Sequence, residues 1–276
     1  MLTTKMFNSH IVSADWLKAN SSLKNIIILD ATINKVIDKT SQRIPNARFF
    51  DIKKKFSTID APFSSTLPSQ AQFQKEAKNL GICNDSLIVV YDDKGIYSSA
   101  RVWWLFKTYG FNTIAVLDGG LPEWVQHGFK VETYTNETYN LGDFNAKDNT
   151  LLMTNFKGVN QYSKDKNTLI IDARSQARFK CLVDEPKAGL RRGTIPNSKN
   201  LPFTDLLNGY KLKSKPQLSK IFNNLVDDKT QFVFSCGSGI TACILALAAT
   251  ILDYNKLIVY DGSWTEYGSL TELKES

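Results

Sequence analysis

The 276-residue chain contains little cysteine and little histidine, and both shortages limit its chemistry. The cysteines are Cys83, Cys181, Cys236 and Cys243. They are too sparse for a disulfide scaffold and are not spaced like the ligands of a zinc knuckle, so we expect free thiols in a reducing compartment. Because His10 and His127 are the only histidines, a histidine-rich metal site is nearly excluded, and a Cys/His catalytic pair has only two candidates.

The chain also lacks long apolar runs and clustered positive charge. No stretch approaches the roughly 18 apolar residues of a membrane span, and the first residues lack the apolar core of a signal peptide, so we expect a cytoplasmic protein without a membrane partner. Lysine and arginine exceed aspartate and glutamate by 34 to 27, a net charge of +7. These cations are scattered, and 53–55 is the longest lysine run. This pattern favours a small anionic partner over nucleic acid.

What the chain does contain is an ordinary globular composition and an internal repeat. Hydrophobic residues make up 42% and charged residues 22%, enough apolar material for a core in each half. Four motifs recur in the same order, three at offsets of 142 to 144 positions and the Ile-Pro-Asn pair at 151. The pairs are IIILDA at 26–31 with LIIDAR at 169–174, RIPNA at 43–47 with TIPNS at 194–198, SLIVVYDDKG at 86–95 with QFVFSCGSG at 231–239, and AVLDGGLPEW at 115–124 with LIVYDGSWTEY at 257–267.

Each half alternates strand patterns with helix patterns, which predicts an α/β fold with a parallel sheet covered by helices. The continuous apolar runs expected to form buried strands are 87–91, 114–118, 231–235 and 256–260. The segment from about 132 to 149 is rich in Asn, Thr and Asp and has no sustained apolar period. We therefore predict one domain over 1–135, a linker over 136–149 and a second domain over 150–276.

The chemistry points to the loop CGSGIT at 236–241. It follows the predicted strand 231–235 and precedes an Ala- and Leu-rich stretch of high helix propensity. Cys236 is thus expected at the carboxyl end of a parallel strand and beside a helix N-terminus, where open α/β sheets bind ligands. Two glycines allow the loop to curl so that its N–H groups converge, and such surroundings favour the thiolate. Cys236 is therefore the candidate nucleophile, whereas Cys83 and Cys243 are expected to be structural.

A thiolate in such a loop could attack phosphorus, carbonyl carbon or sulfur. Phosphate-transfer loops are longer and end in an arginine, but Ala242 stands six positions after Cys236 and no arginine occurs after position 193. Neither histidine matches a landmark of the repeat, so a Cys/His hydrolase would lack its base. Sulfur chemistry remains, because a thiolate that attacks sulfane sulfur needs no general base.

At these residues the chain resembles the tandem rhodanese-domain sulfurtransferases. The loop at 236–241 is similar to the Cys-Gly-Ser-Gly-Val-Thr loop of 3-mercaptopyruvate sulfurtransferases, whereas thiosulfate sulfurtransferases typically place basic residues after the cysteine. The resemblance covers roughly residues 8–268, including YSSARVWW at 97–104 and the Asp-Gly-Gly turn at 118–120. It implies two tandem rhodanese-like domains. The first is a degenerate copy, because Asp92 stands where the repeat places Cys236, and a carboxylate is an unexpected centre for an anion-binding loop.

The resemblance also implies how the donor is held. In the family, one arginine before Phe and another after Glu-Pro grip the carboxylate and ketone of the substrate. Arg178 matches the first, whereas Lys187 stands at the second and keeps the charge without bidentate geometry. Roles for Arg174, Arg191 and Arg192 in binding or in loop ion pairs remain equally open. The residues expected to bind substrate are Arg178, Lys187, Gly237, Gly239, Ile240 and Thr241.

A second departure concerns histidine. Family members usually carry His-Ile-Pro-Gly in each half, but here the first position holds Arg43 or Thr194 and the last holds Asn46 or Asn197. A Ser/His/Asp proton relay of the kind proposed for some members would lack its histidine. Ser238 is still expected to act in catalysis, by a hydrogen bond to the substrate thiol or to the developing enolate.

The predicted function is sulfur transfer by covalent catalysis with no cofactor. Cys236 attacks the sulfur of 3-mercaptopyruvate, pyruvate leaves, and the persulfide passes its outer sulfur to a thiol, a thioredoxin-like protein or cyanide. Thiosulfate sulfurtransferase is the enzymatic alternative. A non-catalytic module that relays sulfur or docks onto a partner is the alternative from another class.

Overall fold

The computed structural model describes residues 7, 9–135 and 137–272, and the side chain of residue 150 is outside the description. The chain divides into two compact units. The first comprises the chain up to Ile59 together with Leu67–Asn149 and Gly209–Leu212. The second comprises Asp60–Thr66, Thr150–Asn208 and the chain from Lys213 onward. None of the helices in the described part has the length and apolar character that a bilayer crossing requires.

The secondary structure alternates between strands and helices, as the repeat predicts. The strands are Ile11–Val12 (β1), Ile26–Asp30 (β2), Gln42–Arg43 (β3), Arg48–Phe49 (β4), Leu87–Tyr91 (β5), Ile114–Leu117 (β6), Glu132–Thr133 (β7), Met153–Thr154 (β8), Thr168–Asp172 (β9), Ser198–Asn200 (β10), Leu207–Asn208 (β11), Lys211–Leu212 (β12), Gln231–Ser235 (β13) and Leu257–Tyr260 (β14). The α-helices are Ala14–Asn20 (α1), Gln70–Asn79 (α2), Ser99–Thr108 (α3), Gly120–Gln126 (α4), Phe156–Tyr162 (α5), Gln176–Phe179 (α6), Lys215–Asn223 (α7), Ala242–Ile251 (α8) and Ser263–Leu270 (α9). Short 3₁₀ turns cover Thr150–Leu152 and Phe203–Leu206.

The first unit contains a five-stranded sheet in the order β1-β6-β5-β2-β4. All four neighbouring pairs run parallel. The central strand β5 is buried along its whole length, which explains why its sequence LIVVY is continuously apolar. Trp124 from α4 and Leu17 from α1 pack into the core on this sheet.

The second unit repeats that topology, with a sheet in the order β8-β14-β13-β9-β10 whose neighbours are again all parallel. Its helix α8, ACILALAATI, buries eight of its ten residues, because Ala and Leu present no polar side chain on any face. Strand β13 and helix α8 therefore form a rigid support on either side of the intervening loop. The predicted duplication and α/β fold are confirmed, and the four predicted buried strands match β5, β6, β13 and β14 to within one residue.

The segment expected to be a linker lies within the first unit. Phe144 is fully buried and Ala146 is 3% exposed, and the Asn84 side chain donates to the backbone carbonyl of Asp143 at 2.9 Å. Residue 136 is outside the described residues. The boundaries at 135 and 149 stay predictions.

Candidate active site

Cys236 lies directly after β13 and begins the loop that leads into α8. Its side chain is buried, with 2% exposure. Gly239 adopts φ of +74°, a left-handed conformation that glycine takes without steric cost, and this residue lets the loop turn back toward the helix. The strand, the loop and the helix thus place the thiol at the carboxyl edge of the parallel sheet, as the sequence predicts.

Three residues that the sequence analysis missed hold Cys236 in place. The Cys236 N–H donates to Ser263 Oγ at 3.0 Å. That hydroxyl donates to the Tyr260 carbonyl at 2.9 Å and lies 3.9 Å from Cys236 Sγ. The Trp264 N–H donates to the Cys236 carbonyl at 3.0 Å, and the Thr265 hydroxyl donates to the Gly237 carbonyl at 2.6 Å. The turn after β14 therefore fixes the backbone of the loop.

The loop itself keeps free donors. Within the part of the chain that the structure describes, the backbone N–H groups of Gly237, Ser238, Ile240 and Thr241 have no protein acceptor. Thr241 is the N-cap residue of the ten-residue helix α8, so its N–H belongs to the helix end that favours negative charge. Ile240 is buried with 4% exposure, and the Ser238 side chain is half-buried. The loop therefore offers several N–H groups beside one buried thiol.

Arg178 lies against this loop. A Cβ atom placed on Gly237 would lie 2.9 Å from Arg178 Nη2, so only glycine lets the guanidinium approach so closely. Arg178 is paired with the buried Glu185, with Nη2 2.5 Å from Oε2. The structure thus brings Arg178 next to Gly237, the residue that follows Cys236.

Arg174 belongs to a buried ion-pair network. Its guanidinium pairs with Asp172 at 2.7 Å and with Glu185 at 2.7 Å, donates to the Gly193 carbonyl at 2.9 Å and lies 4.7 Å from the ring centroid of Trp264. Burial alone would lower the pKa of Arg174, but the carboxylates of Asp172 and Glu185 outweigh burial and raise the pKa. Arg174 is therefore a permanent cation that is fully engaged by the protein.

The other predicted cations differ in their engagement. Lys187 is exposed. Within the described residues, its ammonium group lies over the ring of Phe63, with Nζ 5.9 Å from the ring centroid. Arg191 donates to the Thr271 carbonyl at 2.7 Å, and Arg192 pairs with Asp184 at 2.8 Å. Arg191 and Arg192 therefore stabilise loops, whereas Lys187 keeps its charge available.

Among the remaining cysteines and histidines, Cys243 contacts the backbone of the Cys236 loop, and the histidines have partners elsewhere. All four cysteines are free thiols. Cys243 is buried in α8 and its thiol donates to the Gly239 carbonyl at 3.4 Å. His127 contacts Asp15 and Glu123, and the His10 ring lies 5.5 Å from that of Trp103. In the described ranges, no group of three or more His, Cys, Asp or Glu residues is arranged to hold a metal ion.

The residues at the two Ile-Pro-Asn motifs have structural partners. Arg43 is buried and forms ion pairs with Glu137 and with Glu132, and it donates to the Ala47 carbonyl at 2.8 Å. Asn46 and Asn197 adopt φ of +63° and +60°. Asparagine is among the non-glycine residues that best tolerate this region, which explains how it replaces the glycine of the related motif.

The hydrogen bonds within the loop of the first unit explain how it accommodates the carboxylate of Asp92. Asp92 is fully buried, and its own loop donates to it. The donors are the backbone N–H groups of Lys94 at 2.9 Å, Tyr97 at 2.8 Å, Ser98 at 3.0 Å and Ser99 at 2.9 Å. The carboxylate is thus the anion that this loop holds, so the expectation that it would not suit such a loop is wrong.

Comparison with known proteins agrees with the geometry. The model of the rhodanese-like domain matches residues 13–127 and again residues 156–270. Two copies of this domain, with an intact cysteine loop only in the second, define the class of protein. The chain belongs to the rhodanese-domain sulfurtransferase family.

The individual relatives include sulfurtransferases that are named for two different donors. The chain is 35% identical to the 3-mercaptopyruvate sulfurtransferase of Escherichia coli strain K12, over 97% of this chain and 98% of the relative. It is 37% identical to the mouse thiosulfate sulfurtransferase, over 82% of this chain and 77% of the relative. The crystal structure of the Escherichia coli 3-mercaptopyruvate sulfotransferase aligns with a TM-score of 0.81 at 33% identity, covering 93% of this chain and 99% of that one.

Proposed function

We propose that this protein transfers sulfur from 3-mercaptopyruvate to a thiol acceptor through a persulfide on Cys236. The observation that carries the proposal is the loop at 236–241, which combines the buried Cys236 with N–H groups that have no acceptor among the described residues, and whose Gly237 lies against Arg178. A sulfur anion is the species that such surroundings stabilise. The relatives of similar length that bear the name 3-mercaptopyruvate sulfurtransferase support this donor.

The first half-reaction makes the persulfide. Arg178 and Lys187 bind the carboxylate and the ketone of the donor. The Cys236 thiolate attacks the donor sulfur, an S–S bond forms, and the C–S bond breaks with its electron pair going to carbon. The enolate of pyruvate leaves and takes up a proton, while Ser238 donates a hydrogen bond to the thiol or the developing enolate. The loop residues Gly237, Gly239, Ile240 and Thr241 enclose the donor, and the N–H groups of Gly237, Ile240 and Thr241 are available to stabilise the sulfur.

The second half-reaction returns the thiolate. A nucleophile attacks the outer sulfur, the S–S bond breaks toward Cys236, and the cysteine regains its negative charge. Cyanide would leave as thiocyanate, and a thiol would leave as a persulfide. We propose a small thiol or a thioredoxin-like protein as the acceptor in the cytoplasm.

The test is to incubate the protein with 3-mercaptopyruvate and map the modification by mass spectrometry. The Cys236 peptide is expected to gain about 32 Da, the mass of one sulfur atom. Cys236→Ala is expected to abolish both the modification and pyruvate release, whereas the matched control Cys243→Ala keeps both. Activity that survives in Cys236→Ala would disprove the proposal.

Thiosulfate transfer is the second candidate, because a thiosulfate sulfurtransferase is among the relatives at 37% identity. Residues 237–241 add no cation to the loop, so the extra charge of a dianionic donor would be poorly matched. We expect kcat/KM to be higher with 3-mercaptopyruvate than with thiosulfate at equal cyanide. Loading only from a protein partner, with neither small donor active, would instead indicate a sulfur-relay module.

A further inference from the structure

Glu185 connects two arginines whose surroundings differ. Its side chain is 1% exposed, and its carboxylate accepts from both arginines, with a longer contact of 3.4 Å from Arg178 Nε to Oε1. Oε1 accepts from Arg174 Nη1 at 2.7 Å, and Oε2 accepts from Arg178 Nη2 at 2.5 Å. A carboxylate this deeply buried requires compensation by charge, and the two guanidinium groups provide it.

Arg174 does not depend on Glu185 for its position. Asp172 accepts from both Nε and Nη2, at 2.9 and 2.7 Å, and the Gly193 carbonyl accepts from Nη2 at 2.9 Å. With the Trp264 ring 4.7 Å from its guanidinium carbon, Arg174 has contacts on several sides. It is the fixed end of the network.

Arg178 is the dependent end. Its side chain is 24% exposed, and it projects from α6, a helix of only four residues. Among the residues that the structure describes, Glu185 is the only side chain that pairs with its guanidinium. The same guanidinium lies against Gly237, which precedes the loop N–H groups.

We infer that Glu185 is a positioning residue, which transmits the fixed geometry of Arg174 to Arg178 and so holds a donor-binding guanidinium beside the Cys236 loop. Glu185 accepts hydrogen bonds from Nε and Nη2 of Arg178, so Nη1 of the guanidinium remains for the donor. The inference rests on the proposed function. It adds that donor capture depends on a residue that need not contact the donor.

Glu185→Gln is the informative variant, because an amide offers one acceptor oxygen and directs two donors at its neighbours. Arg174 keeps Asp172, so the loss falls on Arg178. We expect the second-order rate constant for persulfide formation on Cys236 to fall at least about tenfold, as misplacement of a binding group does. Removal of the outer sulfur by cyanide, from protein loaded at saturating donor, is expected to stay within about twofold.

A double-mutant cycle separates positioning from general damage. In an Arg178→Ala background, Glu185→Gln is expected to change the loading rate less than about twofold, because its effect passes through Arg178. An equal loss in both backgrounds, or unchanged loading in Glu185→Gln, would overturn the inference. Glu137→Gln is the matched control, since Glu137 also pairs with a buried arginine, Arg43, but in the first unit.

A second variant and a second donor complete the experiment. If Glu185→Gln does not fold, Glu185→Asp keeps the charge but withdraws the carboxylate by one methylene group, and it must show intermediate loading with the same dependence on Arg178. If the wild-type protein fails to load from 3-mercaptopyruvate, the proposed function fails, and the cycle is repeated with thiosulfate. The positioning role predicts the same pattern with either anionic donor, so the two failures are distinguishable.

Discussion

The loops after β5 and β13 have the same place in their sheets, but the first is centred on a carboxylate and the second on a thiol. In the first unit, the Asp92 carboxylate accepts four backbone N–H groups of its own loop. In the second unit, the aligned N–H groups of Ser238 and Thr241 have no acceptor in the described part of the chain, and a thiol replaces the carboxylate. One loop is therefore satisfied internally, and the other is prepared for a ligand. A loop without the cysteine can therefore still have acceptors for its backbone N–H groups.

The largest effect is expected from moving the thiol from the second unit to the first. The double variant Cys236→Ala, Asp92→Cys is expected to show no turnover of 3-mercaptopyruvate, at least about a thousandfold below the wild type. Thr32 follows β2 where Arg174 follows β9, so the first unit lacks the cation that anchors the donor-binding network. Pyruvate release measures the outcome, and activity restored by the thiol introduced in the first unit would show that the loop alone suffices.

A smaller effect is expected from removing the internal anion. Asp92→Ala leaves two buried and two part-buried N–H donors without their acceptor and should lower the free energy of unfolding by about 2–4 kcal/mol. Urea unfolding followed by tryptophan fluorescence measures this change, since Trp16, Trp103, Trp104 and Trp124 all lie in the first unit. The exposed neighbour serves as the control, and Asp93→Ala is expected to change stability by less than about 0.5 kcal/mol. Equal stability of the Asp92 variant would mean that its four hydrogen bonds contribute little.

The next smaller effect is a difference in stability between variants of the turns that follow β6 and β14. Gly120 has φ of +55°, and a Cβ there would clash with the carbonyls of Asp92 and Gly95. Gly120→Ala should therefore cost about 2–3 kcal/mol through overpacking and backbone strain. Ser263 occupies the aligned position at φ of +50°, and Ser263→Gly should stay within about 1 kcal/mol because relief of strain offsets the lost hydrogen bond. Thermal unfolding compares them, and equal losses would contradict this difference.

The smallest effect concerns Lys187, whose charge is exposed. Lys187→Arg is expected to lower the KM for 3-mercaptopyruvate about threefold, because a planar guanidinium can bind a carboxylate through two parallel hydrogen bonds. Lys180→Arg, at another exposed lysine, should leave KM unchanged. Steady-state kinetics at fixed cyanide gives both values. A raised KM would show that the lysine fits this site better than the arginine of its relatives.

Much of the site could be predicted from local sequence. The repeat, the buried strands and the loop at 236–241 follow from apolar runs, glycines and an Ala- and Leu-rich helix, all of which act within about a dozen residues. Arg178 was identified through the resemblance, because its distance from Cys236 is set by tertiary folding.

The missed residues share a physical cause. Ser263 reaches the Cys236 N–H from 27 positions away, and Glu185 divides between two arginines across a loop. Such contacts depend on which strands are neighbours, and no periodicity records them. Asp92 was misjudged for a related reason. Its side chain bends back onto the N–H groups of its own loop, whereas the sequence indicates only that a carboxylate replaces a thiol.

The 2% exposure of Cys236 also determines the shape of whatever collects the sulfur. In the proposed persulfide, the outer sulfur would lie one S–S bond length, about 2 Å, from the thiol sulfur. Cyanide can follow the donor inward. A folded protein acting as the proposed acceptor would have to present its thiol on a narrow, protruding turn, because a thiol on a flat surface would not reach the buried sulfur. The burial of the thiol would therefore select acceptors by their shape, independently of their chemical reactivity.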